Sequence, residues 1–312
     1  MPYTTPPSLA AGARVALLAP AGPLADESQL ERAEHNVRSL GWESVTYPHA
    51  LSRDGYLAGD DASRLADLNA AIHDPRIDGI WCLRGGYGVM RILDAIDYES
   101  LRRAPKPIIG FSDITALHLA VRARCHIVSY HGPPARAELT PFSRESLARA
   151  TGATGSTGDA PVTSSARDPF VDAPPLTWLQ EGGAAGPLEG GNLALLCSLL
   201  GTPYAARLDG AILVLEDVNE PLYRIDRMLR QLILSGALGR LAGLCFGAFT
   251  DRGDESDAAP RSLDVLFSEA AAHVRGPVVS NAPVGHIPDQ WTLPLGARAE
   301  LALARGLVLA AQ

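Results

Sequence analysis

This sequence has very little lysine, no cluster of basic residues and no apolar run long enough to span a membrane. Lys106 is the only lysine among 312 residues, and 27 basic residues stand against 35 acidic ones, which gives a formal net charge of −8. A nucleic-acid partner is not expected, because a phosphate backbone needs a basic face. For the same reason we expect no binding to an anionic membrane surface.

Signal-peptide features and paired cysteines are missing as well. Met1 to Ala13 has no basic stretch followed by an apolar one, and no apolar segment is long enough to span a bilayer. The four cysteines, Cys82, Cys125, Cys197 and Cys245, lie far apart in apolar contexts, with no Cys-x-x-Cys pair. These features predict a cytoplasmic protein with buried, reduced thiols, and they fit disulfides or a zinc site poorly.

What is present is enough apolar sequence for a substantial core, with 46% hydrophobic and 20% charged residues. Strand and helix patterns alternate through residues 1–135, which predicts an α/β domain with a parallel sheet and helices on both faces. Residues 136–185 are rich in small and polar residues without periodicity, and we interpret them as a linker or active-site loop. Residues 186–312 have a mixed order and predict a smaller, mixed α/β domain.

The most informative segment runs from Pro107 to Ala116 and reads Pro-Ile-Ile-Gly-Phe-Ser-Asp-Ile-Thr-Ala. An apolar, β-branched run ends at Gly110, and a helix-like pattern follows Ser112 almost at once. This layout places the Ser112 hydroxyl on a sharp strand-to-helix turn, beside free amides at a helix N-terminus, which is the setting that a serine nucleophile needs. The alternative is that Ser112 is only the N-cap of that helix.

A glycine-rich turn, Arg84-Gly85-Gly86-Tyr87-Gly88, follows the preceding predicted strand. Glycines let a backbone approach a ligand closely, so the turn is a candidate donor of N–H groups to an anion or oxyanion. It is equally compatible with a tight strand-to-helix turn. A phosphate loop is less favoured, since no Gly-Lys-Ser/Thr follows and the spacing is not Gly-x-Gly-x-x-Gly.

Two residues of the C-terminal part complete a possible catalytic set. Glu216 ends a predicted strand, where a carboxylate can orient a histidine, although it could also be a helix cap or a solvated group. His286 lies on a loop between glycine and proline residues and is a candidate base, although a loop histidine can also serve only local structure. His131 is the main rival as base.

Together these segments resemble the LD-carboxypeptidase family of serine peptidases, which also contains the microcin immunity peptidases. The resemblance covers nearly the whole chain apart from the linker. It rests on Val15–Gly22, Arg84–Gly88, Gly110–Asp113, Gly190–Leu193, Leu215–Asp217 and Gly285–His286. It does not extend to the α/β-hydrolases, because Ile114 stands where Gly-x-Ser-x-Gly requires the second glycine.

The resemblance implies a triad of Ser112 as nucleophile, His286 as base and Glu216 as the group that orients the histidine. It also implies an oxyanion hole formed by the amide of Asp113 and by Gly85 or Gly86. The fold it implies is a parallel α/β domain joined to a smaller C-terminal domain, with the active site at their junction. A homodimer is implied, and no cofactor or metal is expected.

The substrate that the resemblance implies is a small peptide, the murein tetrapeptide, which loses its terminal D-alanine during peptidoglycan recycling. Arg84 is a candidate for the free carboxylate of such a peptide, or else a surface arginine paired with a local acid. Tyr87 and Asn192 lie in matching segments and are further substrate-binding candidates. Trp178 could stack a nucleobase, as in the immunity-type members that cleave aminoacyl-nucleotide amides, or could cover the domain junction.

A reading from another class stays open at this point. In it the protein is an α/β module that binds a nucleotide or another ligand without chemistry, the turn at Gly85–Gly88 holds an anion, and Ser112 only caps a helix. Covalent labelling of the serine separates this reading from the enzyme.

Overall fold

The structure is a computed structural model that describes residues 3–153, 168–170, 175–251 and 261–310. The chain divides into two compact units. The first, called unit 1 below, comprises Met1–Val171 and Gln290–Gly296, and the second, unit 2, comprises Asp172–Asp289 and Ala297–Gln312.

Unit 1 is built on a largely parallel sheet. Its strands, within the described residues, are β1 (Arg14–Leu18), β2 (Glu43–Thr46), β3 (Gly79–Cys82), β4 (Ile108–Gly110), β5 (Ser129–His131) and β11 (Leu293–Leu295). Their order in the sheet is β11-β5-β4-β3-β1-β2. All neighbours pair in parallel except β11, which is antiparallel to β5. The carboxyl ends of β1, β3 and β4 therefore meet at one edge, where ligand sites of such sheets lie.

Four of the five helices described in unit 1 have clear local start signals. The five helices are, within the described residues, α1 (Glu27–Ser39), α2 (Asp61–His73), α3 (Tyr98–Arg103), α4 (Thr115–Cys125) and α5 (Pro141–Thr151). Asp26, Asp60, Asp97 and Thr140 each cap a helix by accepting a backbone N–H with the side chain. Local sequence therefore marks where these four helices begin, whereas α4 follows a 3-10 turn and has no side-chain cap.

The core of unit 1 lies against the middle of its sheet. Leu17 of β1, Trp81 of β3 and Ile109 of β4 are fully buried in one apolar cluster with Val37 of α1. The indole N–H of Trp81 donates to the Pro133 carbonyl at 2.8 Å, which satisfies the polar atom of this large side chain. This packing fixes the ends of the central strands, and it is these ends that carry the candidate site.

Unit 2 contains a mixed sheet. Its strands, within the described residues, are β6 (Thr177–Gln180), β7 (Gly183–Asn192), β8 (Ile212–Val218), β9 (Gly243–Thr250), β10 (Val278–Ser280), β12 (Arg298–Ala302) and β13 (Gly306–Leu309). The order is β13-β12-β7-β8-β9-β10-β6, with parallel pairing from β7 to β10 and antiparallel pairing at both edges. The helices are α6 (Leu193–Ser198), α7 (Leu222–Leu234) and α8 (Leu263–Ala271). The expected α/β class, with a parallel N-terminal sheet and a mixed second sheet, is confirmed.

The segment interpreted as a linker, residues 136–185, contains regular structure. Helix α5 begins at a threonine cap followed by Pro141 at the first position, a start signal that composition alone obscured. Strand β6 and the start of β7 also fall in this segment. Residues 154–167 and 171–174 of it lie outside the described residues. The C-terminal segment 186–312 is also divided, since Gln290–Gly296 belongs to unit 1, where it supplies β11.

A search of the described helices finds none with the length and apolarity that crossing a membrane requires.

Candidate active site

Ser112 sits at a strained strand-to-helix turn in unit 1. Strand β4 ends at Gly110, Phe111 is extended, and Ser112 has φ of +63° before the chain enters a 3-10 turn and α4. Positive φ is uncommon for a residue with a side chain, and such strain is concentrated at functional sites. The amide of Asp113 is among the first of this helical segment, where no earlier turn supplies an acceptor. A nucleophilic serine has both of these features around it.

Two hydrogen-bond donors hold the carbonyl of Gly110, the last residue of β4, just before Ser112. The Gly110 carbonyl accepts from the Gly132 amide at 3.1 Å and from Nε2 of His118 at 2.8 Å. Burial lowers the pKa of His118 to about 4, so its ring stays neutral near pH 7 and donates through this nitrogen. The turn is therefore held by hydrogen bonds to its backbone.

The glycine turn after β3 lies directly against Ser112. A Cβ atom built on Gly85 would come within 2.8 Å of the Ser112 Cβ and 3.1 Å of its Oγ. Gly86 has φ of +108°, and the amide of Gly22, after β1, donates to the Gly85 carbonyl at 2.9 Å. Only glycine permits this approach, so the backbone of the turn is brought beside the hydroxyl, as an oxyanion hole requires.

Two charged side chains that the sequence did not single out for this role hold the glycine turn. The Asp113 carboxylate, 2% exposed, accepts from the Val89 amide at 2.9 Å. Arg64 of α2, also buried, donates from Nη1 to the carbonyls of Pro20 and Gly88, at 2.5 and 3.0 Å, and from Nη2 to Asp61. Burial raises the pKa of Asp113 to about 6, an effect that the Val89 amide and the Arg64 charge oppose. The turn is thus clamped on both sides.

The two other residues predicted for this turn are placed differently. Arg84 donates from Nη1 to the Pro23 carbonyl at 2.6 Å, so its guanidinium lies along the loop after β1. Tyr87 is 51% exposed and packs edge-to-face on Tyr56, with ring centroids 5.5 Å apart. Both side chains flank the glycine turn within unit 1.

Unit 2 brings Glu216 and His286 together. The Glu216 carboxylate is fully buried, and its Oε2 lies 2.9 Å from Nδ1 of His286, whose side chain is 23% exposed. The other oxygen, Oε1, is buried and has no hydrogen-bond partner within the described part of the chain. A buried carboxylate on Nδ1 fixes the orientation and tautomer of a histidine ring and stabilises its protonated form.

Local irregularities of the sheet make this pair possible. The pairing register of β8 and β9 shifts between Leu215 and Asp217, which marks an irregularity at Glu216. Gly285, with φ of +127°, lets the histidine loop pass so close that a Cβ there would lie 3.1 Å from the Glu216 Cβ. The Val284 carbonyl accepts from the Ala248 amide at 2.8 Å and ties the loop to β9.

Asn192 and Asp217 form a second buried pair in unit 2. Nδ2 of Asn192 donates to Asp217 at 2.8 Å, while its Oδ1 accepts from the Leu195 amide and so caps α6. The other Asp217 oxygen accepts from the Ala194 amide at 3.0 Å. Burial raises the pKa of Asp217 to about 6, and the neighbouring Glu216 charge adds to the effect. Asn192 therefore caps α6 and holds Asp217, and its substrate-binding role stays a prediction.

Trp178 and His131, the remaining candidates, lie in different surroundings. Trp178 is half-buried on β6 and pairs with Val279 of β10, so it belongs to an edge strand of unit 2. His131, the rival base, is fully buried in unit 1 and packs edge-on against Phe111. The ring of His286 is partly exposed and contacts the Glu216 carboxylate, whereas that of His131 is fully buried.

A serine on a strained turn, a backbone donor turn against it and a carboxylate-bound histidine are the parts from which serine hydrolases are built. Sequence comparison is specific about the family. Residues 15–132 match the LD-carboxypeptidase N-terminal domain, and residues 185–301 match the LD-carboxypeptidase C-terminal domain. The chain belongs to the LD-carboxypeptidase family and is a serine peptidase of this type.

Two named relatives agree with this assignment over more than nine-tenths of this chain. Murein tetrapeptide carboxypeptidase of Pseudomonas aeruginosa is 37% identical over 300 residues, which cover 92% of each chain. The crystal structure of muramoyltetrapeptide carboxypeptidase from Oxalobacter formigenes has a TM-score of 0.78 at 28% identity, and the match covers 95% of this chain and 97% of that one. The structure of MccF in complex with glutamyl sulfamoyl guanosine has a TM-score of 0.83 over 98% of both chains, but at 20% identity it shows a shared fold only.

Proposed function

We propose that the protein hydrolyses the amide bond that joins the terminal D-alanine of murein tetrapeptide to the L-centre of the preceding residue. The 2.9 Å contact of His286 with the buried Glu216 carries the mechanism, because it is an oriented base of the kind that activates a serine. The substrate is supported by the 37% identity to a murein tetrapeptide carboxypeptidase over 92% of both chains.

The proposed reaction has two steps. Oγ of Ser112 attacks the scissile carbonyl carbon while His286 takes its proton; the tetrahedral intermediate then collapses, and His286 gives the proton to the D-alanine amine as it leaves. Water, deprotonated by the same histidine, then attacks the ester carbonyl, and the histidine returns that proton to Oγ of Ser112 as the tripeptide leaves. Glu216 holds the ring and balances its positive charge throughout.

The oxyanion that forms in each step needs preorganised donors. We assign the amide of Asp113 and one amide of the Gly85–Gly86 turn to this role, which is supported by the close packing of Gly85 on Ser112. One such donor contributes ~3 kcal/mol to the transition state. Because the clamp of Arg64 and Asp113 holds the turn through its backbone, the donors need no rearrangement when charge develops.

We also propose a cytoplasmic location and a homodimer, both as the family resemblance implies. The cysteines support the first: all four thiols are free and buried, and burial raises the pKa of each to about 12, which suits a reducing compartment. Size-exclusion chromatography with light scattering tests the homodimer. A mass of about 33 kDa, that of the monomer, would contradict it.

The test is mass spectrometry of L-Ala-γ-D-Glu-mDAP-D-Ala incubated with three proteins: wild type, Ser112→Ala, and Ser198→Ala, which removes an exposed hydroxyl of α6. Loss of one alanine with the wild type and Ser198→Ala, but not with Ser112→Ala, is expected. A fluorophosphonate should label Ser112 under the same conditions.

Other outcomes point to the alternatives. Labelling without peptide cleavage would move the assignment to an aminoacyl-nucleotide amide, and Trp178 would then be the next residue to change. No labelling, together with a nucleotide-dependent rise in melting temperature, would favour a ligand-binding module.

A further inference from the structure

Three arginines of unit 1 converge beside the glycine turn. Arg136 follows β5, and its amide donates to the Leu83 carbonyl at 3.4 Å, which places it next to Arg84. Asn36 of α1 donates to the carbonyls on both sides of Arg136, those of Ala135 and Ala137, at 2.8 and 2.7 Å. Arg32 lies one turn before Asn36 on the same helix face.

The charge of Arg136 is not compensated within the described part of the chain. Its Nε is buried and has no hydrogen-bond partner among the described residues, and no carboxylate there forms an ion pair with it. Burial and the nearby charges of Arg84 and Arg32 lower the pKa of Arg136. Arg84 uses one N–H on the Pro23 carbonyl, and Arg32 lies near Asp26, whose pKa it helps to lower.

A half-buried, uncompensated guanidinium is costly, and an anionic ligand offsets that cost. Arg84 connects this group to the candidate site, because it directly precedes Gly85, and its Nε lies 3.9 Å from where a Cβ on Gly86 would be. A planar guanidinium matches a carboxylate through two parallel hydrogen bonds. A carboxypeptidase must recognise the free carboxylate next to the bond that it cuts.

We propose that Arg136, supported by Arg84, binds the C-terminal carboxylate of the substrate peptide. This inference rests on the proposed function and names the residue that makes the enzyme a carboxypeptidase. The sequence pointed to Arg84 for this task, but the guanidinium of Arg84 is partly engaged by the Pro23 carbonyl, whereas that of Arg136 is not.

The experiment compares two peptides, L-Ala-γ-D-Glu-mDAP-D-Ala and the same peptide with a C-terminal carboxamide. Values of kcat and KM are measured for wild type, Arg136→Ala, Arg136→Lys and the control Arg38→Ala, which removes an exposed arginine of α1. Arg136→Ala should raise KM for the free acid about 10- to 100-fold, with a smaller change in kcat, and leave the carboxamide unchanged. Arg136→Lys should recover part of the loss, and Arg38→Ala should match the wild type.

Cleavage by the wild type reports on the proposed function, and the ratio of acid to carboxamide cleavage reports on this inference. The same ratio in wild type and Arg136→Ala would overturn the inference while the proposed function stands. An equal loss on both peptides would also overturn it, because the residue would then act on structure. If Arg136→Ala melts well below the wild type, the ratio of acid to carboxamide cleavage by Arg136→Lys decides instead. This variant keeps the positive charge and loses only the planar guanidinium that pairs with a carboxylate.

Discussion

The two units position their candidate catalytic groups by different means. In unit 1 the backbone positions Ser112: positive φ, two donors on the Gly110 carbonyl, and a glycine turn packed on the serine. In unit 2 a charged side chain positions His286, because the buried Glu216 carboxylate holds its ring through one hydrogen bond. Unit 1 should therefore be sensitive to added volume and unit 2 to lost charge.

Each unit nevertheless repeats one device. The residue after the candidate catalytic serine and the residue after the candidate catalytic glutamate are both buried aspartates, Asp113 and Asp217, which accept backbone amides. In both units a carboxylate with a raised pKa fixes the chain beside the reacting group. The two units thus differ in how the candidate catalytic side chain is positioned, but both use a buried aspartate to hold the chain next to it.

The largest effect is expected from removing the charge in unit 2. Glu216→Gln keeps the shape of the side chain but loses the negative charge that selects the histidine tautomer, so kcat should fall by about four orders of magnitude. Steady-state kinetics on the tetrapeptide measure this loss. Glu300→Gln, which removes a partly exposed carboxylate of β12 that pairs with Arg305, is the matched control. A fall of less than tenfold would show that the Glu216–His286 contact is not part of the catalytic machinery.

Added volume in unit 1 should have the next largest effect. Gly85→Ala places a methyl group 2.8 Å from the Ser112 Cβ and 3.0 Å from the Phe111 carbonyl, so the turn must shift and an oxyanion donor is displaced. We expect kcat to fall about 10²- to 10³-fold, with slower fluorophosphonate labelling. Gly183→Ala, where a Cβ meets nothing within 4 Å, is the control. Labelling of Gly85→Ala at the wild-type rate would refute the role of this turn.

The smallest expected effect is on stability, and it tests the buried aspartates that both units have, Asp113 and Asp217. The pKa of Asp113 and that of Asp217 are each about 6 in the folded protein, against 3.8 ordinarily. As pH rises from about 4 to about 6, the unfolded chain therefore releases these protons first, and the free energy of unfolding decreases by up to about 3 kcal/mol for each group. Asp113→Asn and Asp217→Asn should each flatten this decrease.

Urea unfolding between pH 4 and pH 7 measures the slope, with the exposed Asp264→Asn as control. Because the Glu216 charge contributes to the raised pKa of Asp217 but is not among the causes for Asp113, Glu216→Gln should flatten the Asp217 contribution only. Slopes that do not change in either asparagine variant would mean that the two carboxyl groups titrate normally.

Local sequence signals predicted much of the fold. The sequence from Asp61 to His73 predicts a helix, because alanine, leucine and isoleucine fall on one face, and α2 has these bounds. Strand β7 was missed, since glycine is disfavoured in strands. It is glycine-rich for a tertiary reason: a Cβ on Gly186 or Gly190 would lie 2.1 or 1.9 Å from a carbonyl oxygen of the neighbouring chain segment.

The same limit applies to the candidate site. The turn around Ser112 and the glycine turn after β3 are local patterns, and sequence placed both at strand ends. The sequence from Val89 to Ile96 predicts one helix, but the segment forms two 3-10 turns, Val89–Arg91 and Leu93–Ala95. The amide of Val89 donates to Asp113, a long-range contact that no local pattern reveals.

By itself the sequence determined the α/β class, the family and the residue types of the site, because these follow from periodicity, turn chemistry and motifs within a few residues. Only the tertiary structure decided which groups meet. Glu216 selects His286, 70 positions along the chain, through the register shift of β8 and the freedom of Gly285, and Arg64 reaches two loops from α2. Such contacts depend on how strands and helices pack, and packing depends on the whole apolar core at once.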